Sequence, residues 1–416
     1  MVVLVVSVPL TMPYLGQERF GIWMTLASLT AVFSLFDFGI GSSLLNIVAR
    51  KNGKNCSDQS IAFAVTNGLF LLSIISIFLL IFTMLFMFLF NINNLIIKYL
   101  NYSNENEIFY SLMFSILFTC INIPISAIYK IFLGLQKGYV AYFFSAIANI
   151  FSVIILFSAP YMEYSIPALI FITFGIQTIL SLSLIFRMYI DNILQLKLIK
   201  ISRIRIISVH MFNSGSIFFA LQFAAVIGWG SDLLLISALL GPSQVAIFVI
   251  VQRMFQFVTQ PISLLLQPLW ATYAEASVRG DRTYIRTTLF YSSGITLVAT
   301  AAISTIIFFF HEFILDHWVG NETVVPTALV LSFALWTVLE SCGIALAMFL
   351  NGTSIMRPQF FVTVLFSLTT LSFKIFAILN FGLSAVIFAT IVAYILSVVI
   401  PYSTIFRHYI VEKIRT

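Results

Sequence analysis

Long apolar runs decide what this chain can fold into. A helix crossing a hydrocarbon core of about 30 Å, at a rise of about 1.5 Å per residue, needs about 20 mostly apolar residues. Twelve runs of that character cover roughly 1–15, 20–49, 61–90, 108–133, 141–160, 166–187, 208–240, 244–273, 284–310, 327–350, 359–378 and 384–406. Composition agrees with them: 61% of the 416 residues are hydrophobic and 9% are charged, where an average soluble domain carries about 25% charged residues. The expected fold is an all-α polytopic membrane protein with about 12 transmembrane helices. Several runs exceed 25 residues, so those helices must tilt, kink or project from the bilayer. Segment 1–15 is short for a span and reads as a truncated first helix, or as a sign that Met1 is not the true start. A cleaved signal peptide would need a basic start and a small-residue cleavage site, and both are missing.

The loops between the runs alternate in charge. Faces 49–60, 130–139, 187–206, 275–286, 351–358 and 407–416 hold 17 of the 21 Lys and Arg, and the opposite faces hold only Arg19 and Lys98. Cytoplasmic loops collect Lys and Arg, which places the first set, and with it the C-terminus, in the cytoplasm. The other faces carry most of the loop acids, including Glu105, Glu107, Glu163, Glu312, Asp316 and Glu322. The net charge of +6 thus marks topology and anionic lipid rather than nucleic acid. Cys56, Cys120 and Cys342 lie far apart and form neither a disulfide framework nor a zinc pattern.

The chain also repeats itself. "YLGQERFGIW", read as an outer turn between helices 1 and 2, is answered about 225 residues later by "LLGPSQVAIF" between helices 7 and 8. "FLGLQKGYVAYFF" is answered by "FLNGTSIMRPQFF", and "KNGKNCSD" by "SVRGDRTY". Two six-helix bundles follow, 1–187 and 208–416, enclosing a central cavity and related by a pseudo-two-fold axis along the membrane normal. The basic stretch between them, 188–207, reads as an amphipathic interfacial helix.

The stretch "YLGQERFGIWMTLASLTAVFSLFDFGIGSSLLN", followed by "ARKNGK" and later "FLGLQKGY", resembles the start of Wzx-type polysaccharide (O-antigen) flippases. These belong to the superfamily that also holds MATE drug exporters and lipid II flippases. The resemblance implies translocation of an undecaprenyl-pyrophosphate-linked oligosaccharide across the bacterial inner membrane, without a cofactor. It also implies membrane lipids, a polysaccharide polymerase and a coupling ion, H+ or Na+, as partners. Family members carry a longer first helix than segment 1–15.

The residues lead to a compatible place by another route. Five charges lie inside the runs: Asp37, Asp232, Arg253, Glu340 and Lys374. A charge at mid-helix costs at least about 2.5 kcal/mol, so such groups usually face water or a partner. On helix 8, Gln252, Arg253, Gln256, Gln260, Ser263 and Gln267 share one helical face. That face either lines a cavity or uses its amides as interhelical glue. Arg253, Gln256 and Gln260 are the candidate substrate ligands, because a guanidinium fork suits a pyrophosphate. Lys374 joins them, with snorkelling as its competing role. Asp37, on an expected polar stripe with Thr30, Ser34 and Gly41, is a scaffold carboxylate or a coupling site. Glu340 is a coupling group or a partner for Arg253, and Asp232 is a further charge-relay candidate.

Other apparent motifs dissolve. "HEFILDH" has Leu315 where a zinc-protease helix needs histidine, "GIGSSL" lacks a third glycine and a preceding strand, and no GxxxxGK[ST] occurs. No catalytic constellation and no metal site is expected. A cation or drug antiporter of the MATE type would want carboxylates to dominate the cavity. A membrane glycosyltransferase or polymerase would want a large outer loop bearing acids and arginines.

Overall fold

A computed structural model describes residues 2–33, 37–53, 57–89, 104–199, 204–319 and 324–406. Ser34, Cys56, Lys98, Glu322 and the basic residues of 407–416, all read above, lie outside them, as does the side chain of Thr30. The described chain is helical: α1 (Val2–Phe33), α2 (Ile40–Gly53), α3 (Asp58–Leu89), α4 (Glu105–Gly134), α5 (Gly138–Leu156), α6 (Ile166–Ile190) and α7 (Ile204–Trp229) come first. They are followed by α8 (Asp232–Leu240), α9 (Pro242–Arg279), α10 (Arg282–Phe309), α11 (His311–Trp318), α12 (Thr327–Thr353), α13 (Met356–Phe381) and α14 (Ala385–Ser403). Among the described residues ten helices are long and apolar enough to cross a membrane, with α7 and α8 contributing to one span. The arms of α1 and the helix α2 occupy the first two positions that the hydropathy pattern marks.

The chain divides into two compact units, Val2–Gln222 and Phe223–Thr416, and α7 contributes to both. In the N-terminal unit α4 packs on α2 and α3, and in the C-terminal unit α12 packs on α9 and α10. Large apolar side chains fill both interiors, Trp23 and Phe132 in one, Phe248 and Phe366 in the other. They also cover the outside. Phe78, Phe82 and Phe86 stack along the exposed face of α3 at centroid spacings of 6.2 and 6.1 Å. Hydrocarbon is the solvent for such a face, so its exposure carries none of the penalty it would have in water.

The paired motifs share backbone geometry. The expected outer turn after helix 1 is a single residue: α1 continues through Gly16, whose φ of 73° and ψ of 170° kink it, and "GQERF" is otherwise helical. Gly241, its counterpart between α8 and α9, has φ 91° and ψ 165°. Only glycine adopts this region without steric cost. The later pair of motifs likewise ends α4 and α12 on left-handed residues, Gln136 and Ser354, both at φ 59°.

Three sequence expectations change. Helix 2, expected to be continuous over 20–49, is broken at Asp37–Gly39, where Phe38 and Gly39 have φ of 49° and 71°. Asp37 and Gly41 therefore do not sit on one uninterrupted helical stripe. A Cβ on Gly39 would overlap the backbone carbonyl of Gly215 in α7, so glycine is required there for close approach as well as for φ. Helix 7, expected over 208–240, is broken between Trp229 and Asp232. The connector is not an amphipathic helix in its described part. Residues 191–199 form turns and a short 3₁₀ turn, Leu196–Leu198, with Asn192 left-handed at φ 56°. The alternation of "ILQLKLIK" has a period of two rather than 3.6. Its backbone bonds to α3 instead: Gln195 N donates to Thr66 Oγ1 at 3.0 Å, and Asn67 Nδ2 donates to Leu198 O at 3.1 Å.

Five charges read as outer-loop residues lie within helices, Arg19 in α1, Glu105 and Glu107 in α4, and Glu312 and Asp316 in α11, and two of them pair. Arg19 Nη2 sits 2.7 Å from Glu107 Oε1, and the same oxygen accepts the Ile166 amide at 2.9 Å. One carboxylate thus ties α1 and α4 to the first residue of α6, where an unpaired helical N–H favours negative charge.

Candidate functional site

Each unit contains a broken helix, and in each an aspartate meets a lysine from another helix at the break. In the N-terminal unit Asp37 is 2% exposed; its Oδ1 accepts from Gly39 N at 2.8 Å, and its Oδ2 lies 3.2 Å from Lys130 Nζ. Lys130 also donates to Ser42 Oγ at 3.1 Å. Asp37 therefore serves the junction between α1 and α2, as an acceptor for the turn and half of an ion pair. In the sequence Lys130 falls at the start of the basic face 130–139. In the fold it belongs to α4, with its side chain 24% exposed.

In the C-terminal unit the pair is Asp232 and Lys374. Asp232 opens α8, and Lys374, 0% exposed on α13, places Nζ 2.5 Å from Asp232 Oδ1 and donates to the Gly228 carbonyl at 2.6 Å. The ammonium thus joins both sides of the break, the carbonyl before it and the carboxylate after it. Lys374 does not snorkel: it is buried, and its charge is matched inside the unit. Asp232 and Lys374, expected in separate roles as relay and ligand, are each other's partners.

Beside this pair lies a polar cavity of about 150 Å³. Gln252, Gln256 and Gln260 of α9 line it, with Thr337 and Glu340 of α12 and Asp232 of α8. The helical periodicity of the glutamines explains their convergence, since residues four apart stand one above another on the same face. Arg253 is half-buried on α9, and its Nη1 donates to Gln256 Oε1 at 2.6 Å, so a lining side chain holds the guanidinium. Glu340 has no ion pair among the described residues and takes no salt bridge from Arg253.

A second cavity, of about 390 Å³, lies between α12, α13 and α14 and shares Trp336 and Glu340 with the first. Its walls include Phe366, Tyr394 and Tyr402, with Gln359 among them. Sequence reading did not mark these residues, because aromatic side chains in an apolar run look the same whether they face a cavity, a core or lipid. Lys130 left a weak signal: a lysine inside the last turn of a run needs a partner as much as one at the middle does.

The groups of the candidate site are amides, hydroxyls, two carboxylates and two cations held by neighbours, with no nucleophile paired to a base among the described residues. Fold and site together define a polytopic helical protein with ten helices, among the described residues, long and apolar enough to cross a membrane. The chain belongs to the polysaccharide biosynthesis protein family, whose description matches residues 1–273. A relative in Yersinia pseudotuberculosis, assigned to O-antigen export, is 23% identical over 400 residues, covering 94% of this chain and 89% of its own. The fold matches a crystal structure of a MATE protein in complex with MaL6 at a TM-score of 0.73 and 13% identity, over 100% of this chain and 96% of that one. A MOP-superfamily transporter of Pyrococcus furiosus, titled for the reversed polarity of its binding pocket, matches equally at 0.73 with 15% identity, over 100% and 95%.

Proposed function

We propose that the protein carries an undecaprenyl-pyrophosphate-linked oligosaccharide across the bacterial inner membrane by alternating access, for O-antigen or other surface polysaccharide assembly. The observation that carries this reading is the glutamine face of α9, which lines a polar cavity, with Arg253 bonded to the lining Gln256. A pyrophosphate brings about two negative charges into a region of low dielectric, where an unpaired anion is strongly disfavoured and a nearby cation is screened little. Arg253 supplies that cation, with Gln256 and Gln260 as neutral donors beside it. Lys374 adds background charge already compensated by Asp232, so its part in binding is indirect. Glu340, which has no salt bridge among the described residues, is the candidate for loading a coupling ion, H+ or Na+, while Asp37 is committed to its junction. The C-terminus faces the cytoplasm on the charge count, and a polysaccharide polymerase receives the cargo on the far side.

Arg253→Ala is expected to abolish surface polysaccharide while the protein stays at normal abundance in the membrane. Arg253→Lys is expected to keep part of the activity, because a point charge replaces a fork able to bind two oxygens. Gel display of surface polysaccharide with immunoblotting of membranes reads both. Normal display by Arg253→Ala refutes the assignment of the headgroup to α9.

A further inference from the structure

The second cavity adjoins the headgroup site, sharing Trp336 and Glu340 with it, and its lining is unlike an ordinary core. Trp336, Phe366 and Tyr394 lock together edge to face, with Trp336 and Tyr394 at 5.4 Å and 87° and Phe366 and Tyr394 at 5.6 Å and 88°. Rings fixed in this way form rigid walls. Polar groups share the same space. Gln359 lines it, and its Oε1 is buried without a hydrogen-bond partner among the described residues. The side chains of Tyr394, Tyr402 and Glu340 line it too.

A buried acceptor without a partner costs about 1–3 kcal/mol, so what fills this space in the working protein should hydrogen-bond. A purely aliphatic chain would leave Gln359 and Glu340 unpaired. An inorganic anion would meet the Glu340 carboxylate and find no free cation among the lining residues. A neutral ring with several hydroxyls and an apolar face satisfies every wall. Its C–H face lies on Trp336 or Tyr394, its hydroxyls donate to Gln359 Oε1 and Glu340, and the tyrosine hydroxyls bond in either sense.

We propose that this aromatic cavity is a glycan-reading subsite that receives one neutral sugar ring of the cargo. Trp336 and Glu340 form the wall between it and the glutamine cavity, which takes the charged end. The proposal rests on the transport reading above and adds to it the residues that discriminate among sugars. Sites built to hydrogen-bond a substrate hydroxyl reject analogues that lack it far more strongly than apolar pockets reject a missing methylene. Gln359, Tyr402 and Glu340 are therefore the groups through which the protein selects its glycan.

The test uses the full chain in lipid nanodiscs and two soluble probes: oligosaccharide released by mild acid from the producing strain's surface polysaccharide, and inorganic pyrophosphate. Saturation-transfer NMR should detect the oligosaccharide on the wild-type protein. Gln359→Leu and Tyr402→Phe, both close in shape to the native residues, should each weaken it roughly tenfold, as the loss of one hydrogen bond to a buried site would. Trp336→Ala should remove binding, and Trp336→Phe should restore part of it. Pyrophosphate binding should be unchanged in Gln359→Leu and Tyr402→Phe, which line only the aromatic cavity, and lost in Arg253→Ala. If pyrophosphate behaves so but the oligosaccharide fails to bind, or binds Gln359→Leu as it binds wild type, the sugar assignment is overturned and the transport reading stands. Displacement of the oligosaccharide by tetraethylammonium would also overturn it, assigning the cavity to organic cations through Glu340. Failure of pyrophosphate to bind the wild type would instead sink the headgroup site.

Discussion

The two units solve one problem in two ways. Each interrupts a helix inside an apolar unit, which frees backbone groups that lipid cannot satisfy, and each brings a lysine from another helix to an aspartate at the break. In the N-terminal unit the pair is spaced at 3.2 Å, the lysine is 24% exposed, and Ser42 and the Gly39 amide share the bonding. In the C-terminal unit the pair is at 2.5 Å with the lysine 0% exposed. Burial changes what a pair is worth. A sealed ion pair adds little net stability over an apolar replacement, yet removing one partner leaves an unmatched charge. A partly wet pair loses much less, because water takes the vacated place.

That difference can be broken most sharply at Lys374. Lys374→Ala should destabilise the C-terminal unit by about 3–5 kcal/mol and deplete the protein from membranes, while Lys374→Met with Asp232→Leu should recover much of the abundance. Quantitative immunoblots and detergent-solubilised melting curves read this, and a well-folded Lys374→Ala protein would refute the sealed-pair account. Next in size, Gly39→Ala should cost more than Gly241→Ala. Both glycines occupy positive φ, but a Cβ at Gly39 overlaps the Gly215 backbone whereas at Gly241 nothing lies within 4 Å. Backbone strain alone gives Gly241→Ala about 1–3 kcal/mol, and equal melting temperatures for the two variants would show that the α7 contact is not tight. The smallest effect is expected for Lys130→Ala, about 1 kcal/mol, since Asp37 keeps its bond from the Gly39 amide. A loss as large as that of Lys374→Ala would make the two junctions equivalent and remove the contrast.

The site residues divide along the same line. The glutamine face of α9 was legible because a single helix carries it, and helical periodicity depends on local geometry alone. Asp37 and Lys374 were legible as charges needing a reason, but their reasons were not. Lys374 finds its carbonyl partner 146 residues away, and nothing local in either segment points to the other. The aromatic cavity was invisible for a related cause: Trp336, Tyr394 and Tyr402 come around one space only when α12 and α14 pack so as to leave it between them.

What the sequence by itself determined is the helical, membrane-crossing character of the long apolar runs and the glycines at matching positions, Gly16 and Gly241, that adopt similar backbone angles. These follow from apolar length, from the lack of any other way to satisfy a backbone in lipid, and from side-chain demands met within a few residues. The helix breaks at Asp37–Gly39 and Trp229–Asp232, the choice of lysine for each, and the placing of Glu340 between two cavities were decided by tertiary packing. A break is tolerated only where a group from another helix satisfies what it frees, and that group is chosen by proximity in space, which no local pattern encodes.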